Sequence, residues 1–411
     1  MELESFGTFR STYQLTSFTL LISMMYPHPK TIKRRFFVLM TLVALPVVTF
    51  VLIDSYNSFM RNDVLNLVYH STVVGPYLGG VTKIAASLFM SKLGDELINE
   101  IDRDYRMLNT MPESYKRLAR ASIRDSWKYC EKYWFWVVVL SVATFPAMAM
   151  VLNLKGAFFD EKPQKYMVHD VVIPMKEPEY RFETPAYEIV FAVMVYITFL
   201  IMIYYVGYDA FFAISLNHAC LKIDMYCLAF EDALKCKDKR ERCRKLGRVV
   251  EEQLRLYEYV DKIQGFFNIY LGVILFAALI QIGTCLYHIK ESEEFEIQYV
   301  MMGWGTICCI FYPCAFATKL RFASEESAVR FYCGGWEDVH CVSTRRTVLF
   351  MITRAQVTVA LIRGTKITHF QSILVNYYVT TTSSKSATLI DMKYLEQIIR
   401  SNIAEIIAAI Y

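Results

Sequence analysis

Seven stretches of predominantly apolar residues recur along this chain, and they limit its possible folds more than any other feature. A helix needs about 20 apolar residues to cross a hydrocarbon core of ~30 Å. The candidate spans lie at roughly 36–55, 66–90, 133–153, 186–214, 266–288, 298–318 and 367–384. Backbone polar groups in lipid must be satisfied within the span, so each stretch predicts a helix. The sequence therefore predicts an all-α membrane protein with seven transmembrane helices.

The composition of the chain supports this class. Of its 411 residues, 55% are hydrophobic and 20% are charged, against about 45–50% apolar and about 25% charged in soluble domains. Disorder is excluded, and a soluble enzyme is disfavoured. The net charge of +4 is too small for a chain whose main partner is nucleic acid. We expect the lipid bilayer as a partner and no nucleic acid.

The orientation follows from the basic residues beside the first span. Lys33, Arg34 and Arg35 directly precede it, and basic segments are retained on the cytoplasmic side. An amino terminus in the cytosol and seven spans place the carboxyl terminus outside the cell. The apolar segment 15–27 is too short to span and lacks a basic leader, so we predict an interfacial or re-entrant helix that packs on the bundle rather than a signal peptide.

Two charged segments predict helices that continue past the bilayer into the cytosol. Residues 94–129 place Leu97, Ile101, Tyr105 and Leu108 at helical spacing with charges between them, and residues 215–265 continue in the same style. Such helices either form a base for assembly or present a solvated face, and the pattern alone favours neither. At the start of the third span, Tyr133 to Trp136 form an aromatic cluster typical of the headgroup boundary.

The last span contains a run of hydroxyl side chains at residues 380–384. Each hydroxyl could bond to its own helix, but a run of this length favours a water-lined path, or otherwise a helix contact. One helical face carries the predicted pore-lining residues Asn376, Val379, Thr380, Ser383 and Ala387. One helix cannot enclose a channel, so a pore requires several subunits.

Signatures of catalysis and of cofactor binding are missing from the sequence. No zincin, nucleophile-elbow, P-loop or dinucleotide-binding motif stands in a suitable context. The eleven cysteines lie in predicted cytosolic loops or in spans, without zinc-ligand spacing. Glu188, Asp209 and His218 fall near span ends, where hydrated side chains are expected. We predict neither an enzyme nor a bound cofactor or metal.

Several motifs together resemble the insect odorant receptor family. The loop before the fourth span ends in Pro185, Tyr187 and Glu188, which resembles that family's entry to the helix. The segment from Glu251 to Tyr287 resembles its long helix into the fifth span. The carboxyl-terminal resemblance rests on Glu326, Ser327, Tyr332, Trp336, Arg354, Ala355, Gln356 and the segment His369–Leu374. The resemblance covers nearly the whole chain.

The resemblance implies a tuning subunit that forms a ligand-gated, non-selective cation channel with the odorant receptor coreceptor. The expected assembly is a heterotetramer in the dendritic plasma membrane of olfactory sensory neurons. Residues 1–342 would form six spans with cytosolic extensions, and residues 343–366 would help the ends of spans 4, 5 and 6 build the intersubunit anchor. Residues 367–388 would line the pore, whereas the role of the extension 389–411 stays open.

The resemblance also implies an odorant pocket in the outer half of the bundle, between spans 2, 3, 4 and 6. The residues expected there are Tyr69, His70, Val73, Val74, Thr144, Ala147, Met150, Phe191, Met194, Tyr299, Met302, Gly303 and Thr306. Flexible methionines would adapt to several small volatile odorants. Each of these residues could instead only pack a helix interface. Two alternative functions are a gustatory-type ligand-gated channel and a secondary transporter, although no internal repeat supports the latter.

Overall fold

The computed structural model describes residues 5–25, 31–159, 164–291 and 296–359. Within these ranges every regular element is helical, as predicted. The α-helices are α1 (Phe9–Thr12), α2 (Gln14–Ile22), α3 (Thr31–Met60), α4 (Val64–Phe89), α5 (Ser91–Leu108), α6 (Glu113–Asp125), α7 (Trp134–Val142), α8 (Thr144–Phe159), α9 (Ala186–Leu234), α10 (Lys239–Glu291), α11 (Ile297–Tyr332) and α12 (Val342–Ala355). A π-helical segment, Ser126–Tyr133, joins α6 to α7, and short 3-10 helices lie at Pro178–Phe182 and Trp336–Asp338.

In the described part of the chain, four helices are long and apolar enough to cross a membrane, or up to six if each of two bent pairs forms one span. By length and composition, the segment Leu42–Met60 of α3 and the helices α9, α10 and α11 can each cross a bilayer. Two further spans are bent pairs: α4 and α5 meet at 78°, and the helix ending at Val142 meets α8 at 46°. These six match the first six predicted spans. The seventh, 367–384, lies outside the described residues, as do the predicted pore stripe and the extension 389–411.

Both bends occur where the sequence changes its helical pattern. Past Met90, apolar residues are confined to one stripe of α5, where Leu97, Ile101 and Leu108 are fully buried. This confirms the predicted amphipathic helix. The second bend falls at Ala143, just before Pro146 in the first turn of α8. Proline removes a backbone donor and clashes with the preceding turn, which favours a break at that point.

Helices α9 and α10 are much longer than a bilayer is thick. They contain 49 and 53 residues, or about 74 and 80 Å at 1.5 Å per residue. This confirms helical extensions through residues 215–265. The extensions are packed within the chain as well as solvated, because Leu256 and Tyr259 on α10 are fully buried. Helix α12 ends at Ala355, before the β-branched run 357–359. Residues 360–366 of the predicted segment 343–366 lie outside the described residues.

The amino-terminal helices pack against α9, as predicted for the segment 15–27. Phe9 and Leu20 are buried. A Cβ atom at Gly207 of α9 would lie 3.0 Å from Oγ1 of Thr19, so glycine permits this close approach. Glu131 of the π-helical segment accepts hydrogen bonds at 2.8 Å from both the backbone N–H and the hydroxyl of Thr16.

The aromatic cluster at the start of the third span divides between two environments. Tyr133 and Trp136 are half exposed, whereas Trp134 is 1% exposed. The Trp134 ring stacks on Tyr312 with centroids 4.1 Å apart. The prediction of a headgroup cluster was therefore wrong for Trp134. Neighbouring residues on a helix point in different directions, so a continuous aromatic run cannot all face one medium.

Candidate functional site

A cavity lies among α3, α4, α7, α8, α9 and α11, beside the segment that precedes α9. We call it the loop-side cavity, and it has a volume of about 700 Å³ counted out to its openings. Its lining residues are Val47, Val48, Val51, Thr72, Val73, Val74, Pro76, Tyr77, Val142, Phe145, Val168, His169, Met194, Ile197, Thr198, Ile201 and Met302. Binding sites for small molecules are concave and mostly apolar, as this lining is.

Polar groups at the loop-side cavity are few and mostly engaged. The hydroxyl of Thr72 donates to the backbone carbonyl of Tyr69 at 2.7 Å. The hydroxyl of Thr198 donates to the backbone carbonyl of Met194 at 2.9 Å. Within the described part of the chain, none of the lining side chains is an acid, a lysine or an arginine. Burial of an ion without a partner is costly. The cavity therefore suits a neutral, mainly apolar molecule.

One end of this cavity is held by a polar cluster of Asp54, Tyr69, His70 and His169, which we call the loop clamp. The ring of Tyr69 stacks on His169 with centroids 4.2 Å apart. Nδ1 of His70 lies 3.0 Å from Nε2 of His169, and Nε2 of His70 lies 3.1 Å from a carboxylate oxygen of Asp54. The clamp attaches the loop to α3 and α4, which fixes His169 against the cavity.

The neighbouring loop residue Asp170 strengthens this attachment. Its backbone N–H donates to the hydroxyl of Tyr69 at 2.6 Å, and its carboxylate pairs with Arg181 at 2.8 Å. Burial raises the pKa of Asp170, whereas Arg181 opposes that rise. Burial also lowers the pKa of His169 well below its ordinary value, and the adjacent His70 adds to this shift. His169 is therefore neutral at physiological pH.

The structure brings some of the predicted pocket residues together and separates others. Val73, Val74, Met194 and Met302 line the loop-side cavity. Tyr69 and His70 belong to the loop clamp, and buried Tyr299 packs on His288 with ring centroids 3.8 Å apart. Eight of the predicted residues line neither cavity described here: Tyr69, His70 and Tyr299, and also Thr144, Ala147, Met150, Phe191 and Gly303. Met150 is 43% exposed.

Sequence reasoning missed the contributions of α3 and of the loop. Val47, Val48 and Val51 line the cavity from α3, and Val168 and His169 line it from the loop. The expected pocket was limited to spans 2, 3, 4 and 6, so these residues were not considered. One signal was available: His70 in an apolar span needs a polar partner, and Asp54 and His169 lie at the same end of the bundle.

A second cavity, which we call the central cavity, lies farther along α9, away from the loop. Its volume is about 550 Å³ counted out to its openings. Its lining residues are Gly75, Pro76, Val137, Val138, Ser141, Val142, Ile201, Tyr205, Ile274, Ala277, Ala278, Gln281, Met302, Gly305, Thr306 and Cys309. Helix α10 contributes to this cavity but not to the loop-side one. Of the predicted pocket residues, Met302 and Thr306 line it.

A buried ion pair stands beside the central cavity. Nζ of Lys83 on α4 lies 2.9 Å from a carboxylate oxygen of Asp209 on α9, which also accepts a hydrogen bond from Tyr270 at 2.6 Å. The same Nζ lies 3.3 Å from the ring centroid of Tyr205. Asp209 is 3% exposed, so the prediction of a hydrated side chain was wrong. Residue spacing could not reveal a partner located 126 positions away.

The prediction of a hydrated His218 was also wrong. This residue is 3% exposed, and its Nε2 lies 3.0 Å from a carboxylate oxygen of Asp104. Nζ of Lys222 lies 2.7 Å from the same carboxylate and 3.0 Å from a carboxylate oxygen of Glu100. These contacts join α5 to the extension of α9. Glu188, by contrast, is half exposed, as predicted.

No cluster of catalytic or metal-binding type stands out in the described ranges. Among those residues, no group of three or more histidines, cysteines, aspartates or glutamates could hold a metal ion. All eleven cysteines carry free thiols. The described part of the chain is an all-helical bundle with mostly apolar cavities.

The sequence profile of the 7tm odorant receptor family matches residues 64–378. The chain therefore belongs to the odorant receptor family, whose members are ligand-gated channel receptors rather than enzymes. None of the curated proteins compared with this chain matches it.

Solved structures similar to this chain include two of the insect olfactory receptor OR5 from Machilis hrabei. The complex with eugenol has a TM-score of 0.66 and 13% sequence identity, covering 91% of this chain and 100% of that chain. The second structure has a TM-score of 0.67 and 14% identity, covering 90% of this chain and 97% of that one. At these identities the similarity concerns the fold.

Proposed function

We propose that this chain is an odorant receptor subunit that binds a small volatile molecule in the loop-side cavity. The observation that carries the proposal is that α4, α9 and α11 place Val73, Val74, Met194 and Met302 around one apolar cavity. The similar Machilis hrabei receptor was solved in complex with eugenol. We infer that this chain also takes a neutral molecule of modest size, such as a volatile ester, ketone or phenol.

Burial of apolar surface can supply the required affinity. A ligand of about ten heavy atoms needs ~0.8 kcal/mol per atom for a dissociation constant of ~1 μM, which lies within the range of small ligands. Such a ligand must be almost enclosed. Met194 and Met302 offer adaptable apolar contacts, which favour recognition of several related shapes.

Ligand binding would open a non-selective cation channel formed with the odorant receptor coreceptor. In this proposal the stripe Asn376, Val379, Thr380, Ser383 and Ala387 lines the pore. The ligand favours the open state by binding it more tightly, since only differential affinity shifts an equilibrium. Lys385 near the outer mouth would repel cations in a homotetramer, so this chain would need the coreceptor to conduct.

The proposed assembly gives the long helices a role. The amino terminus lies in the cytosol and the carboxyl terminus outside, in the dendritic plasma membrane of an olfactory sensory neuron. The cytosolic ends of α9, α10 and α11, together with residues 343–366, form the anchor between subunits of a heterotetramer. Support comes from α9 and α10, which are more than twice as long as a hydrocarbon core is thick.

The experiment is to record odorant-evoked currents from cells that express the chain with and without the coreceptor. A panel of aromatics, esters and heterocycles identifies an agonist first. Met194→Ala should then change agonist potency, whereas Ser383→Ala should change conductance or rectification more than potency. If both substitutions altered potency alone, the assignment of pocket and pore would fail. Full currents without the coreceptor would refute the proposed dependence.

A further inference from the structure

The two cavities are adjacent chambers divided by a thin partition. Pro76, Val142, Ile201 and Met302 line both of them. The proline ring is rigid, and the two β-branched side chains are stiff at χ1. Met302 is the member with three flexible side-chain torsions. Of the four shared side chains, it can change its conformation most easily.

Together the chambers form an elongated space. Met194 on α9 lines the loop-side cavity, and Tyr205, eleven residues later on the same helix, lines the central one. At 1.5 Å per residue these positions lie about 16 Å apart. The combined space therefore suits an extended molecule better than a compact one.

Two side chains that line the central cavity make only long donor contacts: Tyr205, whose hydroxyl donates to the backbone carbonyl of Pro76 at 3.5 Å, and Gln281. The hydroxyls of Ser141 and Thr306 donate to backbone carbonyls of their own helices at 2.7 and 2.8 Å. The carboxamide of Gln281 has two N–H donors, and its Nε2 makes a long contact of 3.7 Å with the thiol of Cys285. Sulfur is a weak acceptor, so a ligand oxygen could replace this contact.

The position of Gln281 depends on a glycine. A Cβ atom at Gly75 of α4 would lie 2.8 Å from Oε1 of Gln281, closer than such atoms normally approach. Gly75 thus leaves the carboxamide room at the wall of the cavity. Among the described residues that line this cavity, none carries a formal charge, which favours a neutral partner.

We propose that the central cavity is a second ligand chamber that takes the carbonyl end of an elongated, neutral, otherwise apolar molecule. Its chain occupies the loop-side cavity, its carbonyl end passes Met302, and Nε2 of Gln281 donates a hydrogen bond to the carbonyl oxygen. This inference rests on the proposed function and specifies the class of ligand, namely long-chain ketones, aldehydes or esters. The deeper chamber makes chain length a determinant of affinity.

Equilibrium binding to the full-length chain in lipid nanodiscs tests this inference, with straight-chain methyl ketones from hexanone to tridecanone as probes. In the wild type, affinity should rise about fourfold per added methylene beyond the length that fills the loop-side cavity. Ala278 lines only the central cavity and is 4% exposed. Ala278→Phe should abolish this rise and leave hexanone binding unchanged, with Ala278→Leu as a milder replacement if folding fails.

Gln281→Met preserves the size of the side chain and removes the donor. It should weaken tridecanone binding about five- to tenfold, the loss expected for one hydrogen bond, and leave binding of the corresponding alkane unchanged. Unchanged tridecanone affinity in this variant would overturn the role of Gln281. The absence of a length dependence in the wild type, or its persistence in Ala278→Phe, would overturn the second chamber.

Val73→Phe distinguishes this inference from the proposed function. Of the two cavities, Val73 lines only the loop-side one. This substitution should therefore lower the binding affinity for every ketone in the series. If Val73→Phe weakens hexanone while Ala278→Phe leaves the length dependence intact, the loop-side pocket stands and the second chamber falls. If Val73→Phe changes no affinity, the proposed pocket itself is contradicted.

Discussion

At the scale of single residues, charge inside the bundle is tolerated only where it is paired. Lys83 is fully buried between Asp209 and the ring of Tyr205, and Tyr270 completes the coordination of the carboxylate. The Coulomb gain of such a pair does little more than offset the cost of removing two ions from water. Loss of one partner is therefore expected to destabilise the fold more than loss of both, because it leaves an unpaired charge buried.

We predict that Lys83→Met lowers the free energy of unfolding by about 3–5 kcal/mol, because it leaves the Asp209 carboxylate without its cation. The double variant Lys83→Met/Asp209→Leu should recover most of this loss. Thermal unfolding of the purified protein in nanodiscs measures both effects. Arg321→Met is the control, since Arg321 and Glu325 form a half-exposed pair worth less than about 1 kcal/mol. Equal losses in the single and double variants would contradict the prediction.

The loop clamp predicts a dependence of stability on pH. Burial holds the pKa of His169 well below its ordinary value, so the unfolded chain takes up a proton first. As pH falls below about 6.5, the ordinary pKa of histidine, unfolding becomes easier by up to about 1.4 kcal/mol per pH unit until the lower folded-state pKa is reached. Asp54, Asp170 and Arg181 are the charged groups around the clamp.

Between about pH 7.5 and pH 5.5, the wild type should therefore lose about 1 kcal/mol more stability than His169→Gln. Thermal unfolding at both pH values measures this difference. His340 is exposed, so His340→Gln should retain the wild-type dependence. An identical pH response in wild type and His169→Gln would show that burial of His169 is not the cause.

At the scale of elements, the amino-terminal helices depend on a close contact with α9. A Cβ atom at position 207 would lie 3.2 Å from the backbone nitrogen of Leu20. Gly207→Leu would therefore force its side chain against Thr19 and the backbone of Leu20. Overpacking of this kind costs about 1–3 kcal/mol, so hydrogen exchange in residues 14–22 should accelerate about tenfold. Gly272→Leu on α10 is the control, because nothing lies within 4 Å of its Cβ position. Equal exchange in both variants would contradict this contact.

At the scale of the whole molecule, the proposed orientation is open to a direct test. A tag at the carboxyl terminus should bind antibody on intact cells, and a tag at the amino terminus only after permeabilisation. The physical reason is the basic cluster at residues 33–35, because basic residues beside a first span favour the cytosolic side. The opposite labelling pattern would overturn the orientation and, with it, the location of the pore and the anchor.

The sequence alone determined the class of the fold and the positions of the first six spans, because the length of an apolar run and its periodicity are local properties. The resemblance to the odorant receptor family, rather than residue spacing, suggested Val73, Val74, Met194 and Met302, which line the loop-side cavity. Only the tertiary structure decided the rest: Met150 lies exposed on α8, and a loop places His169 at the cavity. Lys83 and Asp209 became partners there because contacts between distant segments depend on packing, which no local pattern encodes.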